Sequence, residues 1–494
     1  MKRSLIIAAA IIAANSISAQ TMRVNIGDVT YAIPASQAGE MLFNAGKTLT
    51  VNNKTFTLSD LTNITIDNTV VEDNTVDVNY DGLSAKVIIA GNLAPYVNAN
   101  VNGAHVSIEA DPTLEQRVIY KLSGNSSNGS FYMSGDYTME VVFNSVTLNN
   151  PDSAAVNLQN GKLIDITLPA GTTSNLSDGL AYVFDDGSDG HKAAFYADGH
   201  TSWSGAGSLN IMGNVKHGFS GDEYVLLNDG LGTLTITGAS GDGLHVSQYF
   251  KMLGGTVSIT SVGDGIDVEK KKSDKTDNGM LTIEGGSLTV VTTGNATKAL
   301  KCESDMVIKG GVTTATTSGT ATYDSSLKDF SSNAAAKCDG EFLMTGGTLN
   351  LTSTGAGGKG LNSTGNITIN GGTLTVVTTG AIFTYGSDDT KPQAIKSDGN
   401  ITLAGGTILS CASTDSGNPF KTDLNVFTNG ATLMGIGNKA VTPATSSTCG
   451  FKKYSSVKVT GGSTLSYDGV SFTIPSIYSN TNAKVIVSSP SIKK

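Results

Sequence analysis

The chain has 494 residues, 59 of them glycine, with 15% charged and 6% aromatic residues and a formal net charge of −10. That acidity argues against nucleic acid as a partner, and a composition rich in Gly, Thr, Ser and Asn describes a β-rich extracellular protein, not a helical enzyme. Four cysteines are too few for a disulfide framework at this length.

The first residues read as a secretory signal. Lys2 and Arg3 precede an apolar run at 5–14, and Ile17-Ser18-Ala19 offers a cleavage site before Gln20. The run is too short to span a bilayer, no cysteine directly follows it, and no later segment suits a membrane crossing. The expectation is export, to the periplasm, the cell surface or the medium, with residues 1–19 removed.

Residues 20–150 carry short alternating runs at 24–33, 48–58 (with Asn52-Asn53 as the turn), 64–66, 101–108, 120–122 and 141–148. They predict a small β region that covers the first turn of the repetitive stretch beyond residue 150.

From about residue 151 the chain copies itself. A large apolar marker recurs at Phe195, Phe219, Leu244, Ile266, Leu300, Ala336, Leu361, Ile395, Phe420 and Phe451, in steps of 22 to 36 residues. A small or tight residue precedes each marker, and a glycine follows most of them ten residues later. Short β-branched runs separated by glycine pairs give about three strands and three corners per unit. The fold class predicted is all-β: a parallel β-helix (solenoid) of about ten turns over 151–460, roughly 45 Å long at about 4.8 Å per strand. Residues 461–494 are expected to close its far end. A β-propeller would need about 40 residues and four strands per blade.

Three long steps contain insertions, at 269–279, 318–333 and 384–392, all beside the marker strand. Cys302 and Cys338 share one slot in successive units and are expected inside, as stacked small residues or a bridged pair. There is no Cys-x-x-Cys and no histidine cluster at metal spacing along the sequence, which argues against zinc.

If each marker points inward, the next residue points outward. That outward column reads Tyr196, Ser220, His245, Asp267, Lys301, Lys337, Asn362, Lys396, Lys421, Lys452. Two residues on, it reads Asp198, Asp222, Ser247, Glu269, Glu303, Asp339, Thr364, Asp398, Asp423, Tyr454. Lysine and carboxylate in these columns either neutralise each other or present a charged face to an anionic chain. Asp198, Asp222, Asp242, Asp264 and Asp267, among flexible glycine backbone, are the candidate calcium ligands. Tyr196, His245, Lys301, Lys337, Lys396 and Lys421 are the candidate ligand-binding side chains. Trp203 either offers a ring to sugar or packs beneath a corner. His191, His200, His217 and His245 read as isolated surface histidines.

Gly263-Asp264-Gly265-Ile266-Asp267, the strand pattern at 369–374 and Lys192-Ala193-Ala194-Phe195-Tyr196 resemble the bacterial carbohydrate-binding β-helix family. The resemblance spans about 150–430. It implies a fold similar to polysaccharide lyases, calcium, and non-catalytic binding of acidic plant polysaccharide. Several acidic positions in the later turns are lysine here, so the family's calcium ligands do not transfer as a set. Two other readings stand beside it. One is a calcium-dependent lyase with Lys301 as base, since no arginine follows Arg117. The other is a structural or adhesive surface protein.

Overall fold

A computed structural model describes residues 20–182, 192–272 and 277–494; the signal reading at 1–19 and His191 lie outside the described residues. The chain is all-β, with one four-residue α-helix, Ala35–Ala38, and a short 3-10 turn, Gly91–Leu93, among the described residues.

Each unit folds as three short strands. In the unit around Ile395 these are Gln393–Ser397, Ile401–Leu403 and Thr407–Cys411. Every one pairs in parallel with its counterpart in the units before and after. Successive units therefore stack in register, and the ladders merge into one large sheet and a second, thirteen-stranded one. The markers from Phe195 to Phe420 are at most 1% exposed. Burying a large apolar side chain contributes about 1.5–3 kcal/mol, so this inward file is a main source of stability.

The small residue before each marker has a packing reason. A Cβ on Gly218 would lie 2.5 Å from Ile236, and one on Gly243, Gly265 or Gly360 would lie 2.1 or 2.2 Å from Ile259, Val290 or Val376. The corners use glycine differently. In Gly371-Gly372 the second residue has φ +83°, and a Cβ on the first would meet the Thr345 carbonyl oxygen at 2.5 Å.

Parallel stacking starts earlier than residue 151. Ala104–Ala110 pairs in parallel with Gly129–Ser134, which pairs with Val156–Gln159, and Val118–Ser126 lies parallel to Thr75–Asp81 and Met139–Asn150. These early rungs lack the glycine-pair rhythm, so the repeat did not reveal them. The cap beneath them is antiparallel: Thr21–Ile26 pairs with Val29–Pro34 and with Asn63–Asp67. Asn52 and Asn53, at φ +49° and +58°, form the tight turn between Thr48–Val51 and Lys54–Thr57.

Phe451 is not a further marker. Phe451–Val459 pairs antiparallel with Asn480–Ser488, and that last strand also covers the edge of Thr432–Gly437. The covered edge has no free row of amides left for another chain. Lys452 consequently leaves the column expected of it.

Two insertions form hairpins, Thr322–Asp324 with Asp329–Ser331 and Phe383–Tyr385 with Asp388–Thr390. Tyr323 and Tyr385 stack with centroids 4.2 Å apart, joining the hairpins. Lys359 lies beneath the second, 5% exposed, and donates to Gly357 O, Lys391 O and Thr390 Oγ1 at 2.7–3.0 Å. Cys302 and Cys338 are register partners, buried and unbridged.

Candidate functional site

Strand registers place the outward column in one file. Tyr196, Ser220, His245, Asp267, Lys301, Lys337, Asn362, Lys396 and Lys421 each pair with the next across the ladder. Its late half is basic and open to solvent. Lys337, Lys396 and Lys421 are 28–34% exposed at the side chain, and each turns to the aspartate two residues along, Asp339, Asp398 or Asp423.

The early half is sunk and differently wired. Two positions before each marker stand His217, Asp242, Asp264 and Lys298; one position after stand Ser220, His245, Asp267 and Lys301. Asp264 and Asp267, three residues apart in sequence, face the same ammonium. Asp264 sits on the corner before the strand Ile266–Glu269, and Lys301 Nζ lies 2.9 Å from Asp267 Oδ2 and 3.5 Å from Asp264 Oδ2. Asp242 Oδ2 lies 3.3 Å from Nδ1 of both His217 and His245, and Asp242 Oδ1 accepts the Asp264 amide at 2.7 Å. The two imidazoles stack at 4.7 Å. His217 and His245 are 28 residues apart, so the absence of a histidine pair at metal spacing along the sequence did not carry over to space. The signal that could have found them is position relative to the marker on successive rungs: one stands two before its marker, the other one after.

Burial and the neighbouring charges oppose each other across this cluster. Burial pushes Asp264 up to about 6 against the pull of Lys301, and raises Asp267 as well. Burial also lowers His217. Burial would raise Asp242, yet the neighbouring His217 and His245 hold its carboxyl below the usual range. Burial works against a charged His245, but Asp242 and the flanking carboxylates raise it. For Lys301 the carboxylates of Asp267 and Asp264 outweigh burial and keep the ammonium charged.

Other expected site residues fall elsewhere. Tyr196, expected to be outward and accessible, is 1% exposed, because its whole strand Ala193–Ala197 is covered on both faces. Trp203 packs inside between Phe195 and Phe219. His200 is not isolated: it stacks on Tyr224, which stacks on Tyr249, each at 4.6 Å. Glu223 binds both His200 and Lys271.

The calcium expectation rests on five aspartates, and the structure draws three of them into this cluster. Asp198 and Asp222 follow the register pair Ala197 and Gly221, at the far end of their strands. Calcium takes six to eight oxygen ligands. Here imidazole nitrogens face Asp242, and an ammonium already lies between Asp264 and Asp267. That donor set does not suit calcium.

A family model described as "Carbohydrate-binding domain-containing protein" matches residues 102–382. No curated protein matches the sequence. Among solved structures, a polysaccharide lyase-like protein from C. thermocellum, a gadolinium derivative, is similar at 18% identity and a TM-score of 0.43, over 55% of this chain and 96% of that one.

Proposed function

Since the chain belongs to the family of carbohydrate-binding domain-containing proteins, we propose that it is an exported, non-catalytic binder of an acidic, pectin-like polysaccharide. The ladders are read as a parallel β-helix of about ten turns, with Lys337, Lys396 and Lys421 along one side. The observation that carries this reading is their register in one file. Rungs stand about 4.8 Å apart, so the lysines repeat along a line that a polymer of charged sugars can follow. Each lysine's present partner is an exposed aspartate, and such a pair is worth about 0–1 kcal/mol. Exchanging it for a uronate carboxylate costs little.

The environment of Lys301 favours binding over lyase chemistry. A base must be unprotonated to take a proton, and Lys301 is held charged between the carboxylates of buried Asp267 and half-buried Asp264.

The test is calorimetric titration of the mature chain with polygalacturonate, with and without a chelator, and with its fully methyl-esterified form. Binding to the acid form that weakens with salt and survives the chelator supports the reading. Equal binding of both forms, or none of either, sinks it and leaves a spacer or adhesin. New ultraviolet absorbance from unsaturated product would make the protein a lyase.

A further inference from the structure

We infer that His217, Asp242 and His245 form a binding site for a transition-metal ion of the Zn²⁺ class, separate from the lysine file. The proposal does not depend on the polysaccharide reading.

Distance carries the argument first. Both Nδ1 atoms lie 3.3 Å from one oxygen, Asp242 Oδ2. A good N–H···O bond spans about 2.7–3.2 Å, and His245 Nδ1 is buried with no hydrogen bond. Ligand atoms held at about 2.0–2.1 Å around a tetrahedral ion are separated by about 3.3–3.4 Å. The spacing is that of ligands around an ion more than of donors on an acceptor.

Chemistry comes second. Two imidazoles and a carboxylate are the donors that zinc and its neighbours favour, whereas calcium and magnesium take oxygen. His217 Nδ1 accepts the Asp242 amide at 3.2 Å, so that nitrogen is unprotonated, and a bound ion would take the place of this contact. Among the described residues, the ion-pair partners of Asp242 are these two rings; Lys301 reaches Asp264 and Asp267 instead.

A third, independent observation lies beside the trio. Asp267 has a side chain only 6% exposed, and its Oδ1 has no hydrogen-bond partner. Its Oδ2 is 3.9 Å from His245 Nδ1, the same nitrogen that faces Asp242. A further oxygen ligand is therefore within reach. The three donors sit on two adjacent rungs, with Asp267 on the next, so the backbone ladder fixes their spacing before any ion arrives.

The experiment uses the untagged mature chain, stripped with chelator and titrated with Co²⁺ while its visible d–d absorption is followed. The expected result is one Co²⁺ per chain with an intense tetrahedral band that one equivalent of Zn²⁺ bleaches and the same concentration of Ca²⁺ does not. H217Q, H245Q and the near-isosteric D242N should each lower Co²⁺ affinity at least tenfold, while H105Q, a histidine remote from the cluster, should not. Circular dichroism and melting of each variant establish that it is folded. No d–d band, a band unchanged in folded H245Q, or bleaching by Ca²⁺ would each overturn the assignment.

Discussion

Lys301 reaches back one rung, to Asp267 Oδ2 at 2.9 Å, whereas Lys337, three dozen residues later in the same file, turns along its own strand to Asp339 at 2.7 Å. The first pair joins two rungs and is mostly hidden; the second sits on one strand with its carboxylate 42% exposed. The same residue type in the same column therefore does two jobs. Lys301 neutralises the Asp264–Asp267 pair, and the later lysines pair with exposed aspartates.

Lys301→Met should destabilise the chain. Removing one partner of a buried pair costs about 3–5 kcal/mol, and the quarter-exposed ammonium lowers that here to about 2–3 kcal/mol. The double variant Lys301→Met with Asp267→Asn should recover part of the loss, since Asp264 alone then stands at that rung without its ammonium. Urea melts of the four chains of this cycle check it; additive losses would refute the coupling.

Lys337→Gln, Lys396→Gln and Lys421→Gln should each leave stability within about 0.5 kcal/mol of the parent. Each should weaken polygalacturonate binding by about 0.5–1 kcal/mol, or two- to fivefold. The triple variant should also lose most of the salt dependence. Retention of full affinity in the triple variant would move the binding face away from this file.

The stacked architecture and the lysine file were legible because strand phase survives insertions: the marker and its neighbour keep their places although the steps vary from 22 to 36 residues. The early cluster was only half legible. Gly-Asp-Gly flagged Asp242 and Asp264, but the two-before position of His217 falls outside the strand alternation from which outward residues were read. Tyr196 obeyed its phase and was still hidden, since alternation gives direction and not what lies above. Phe451 matched the pattern locally, and only the pairing of Asn480–Ser488 decided against it.

Gly218→Ala should cost about 1–3 kcal/mol through overpacking, because its new methyl would meet Ile236 Cγ2 at 2.5 Å. Ile236→Ala alone loses core contact and costs about 2–5 kcal/mol. Together they should cost at least about 1 kcal/mol less than the sum, the coupling expected of residues in contact. A strictly additive pair would place the strain in the backbone and not between these side chains.

Lys359 sets a pH dependence whose sign is opposite to that of an ion-paired lysine. Burial, with a smaller repulsion from Lys396, pushes its amine down to about 7 from an ordinary value near 10.5. Below about pH 7 the side chain is protonated in both folded and unfolded chains, and the full penalty of hiding the charge is present. Between about 7 and 10.5 the unfolded chain holds one more proton than the folded one, so this residue's contribution to stability rises with pH, by about 1.4 kcal/mol per unit at most. Above 10.5 both forms are neutral and the contribution is level. Other groups titrate over the same range, so the comparison that isolates it is with Lys359→Met. The difference in unfolding free energy between parent and variant should be flat from pH 5 to 7 and shift in the parent's favour by at least about 1 kcal/mol between pH 7 and 9. Parallel curves would mean that Gly357 O, Lys391 O and Thr390 Oγ1 hold the ammonium charged in the fold, and that these three acceptors outweigh the loss of water.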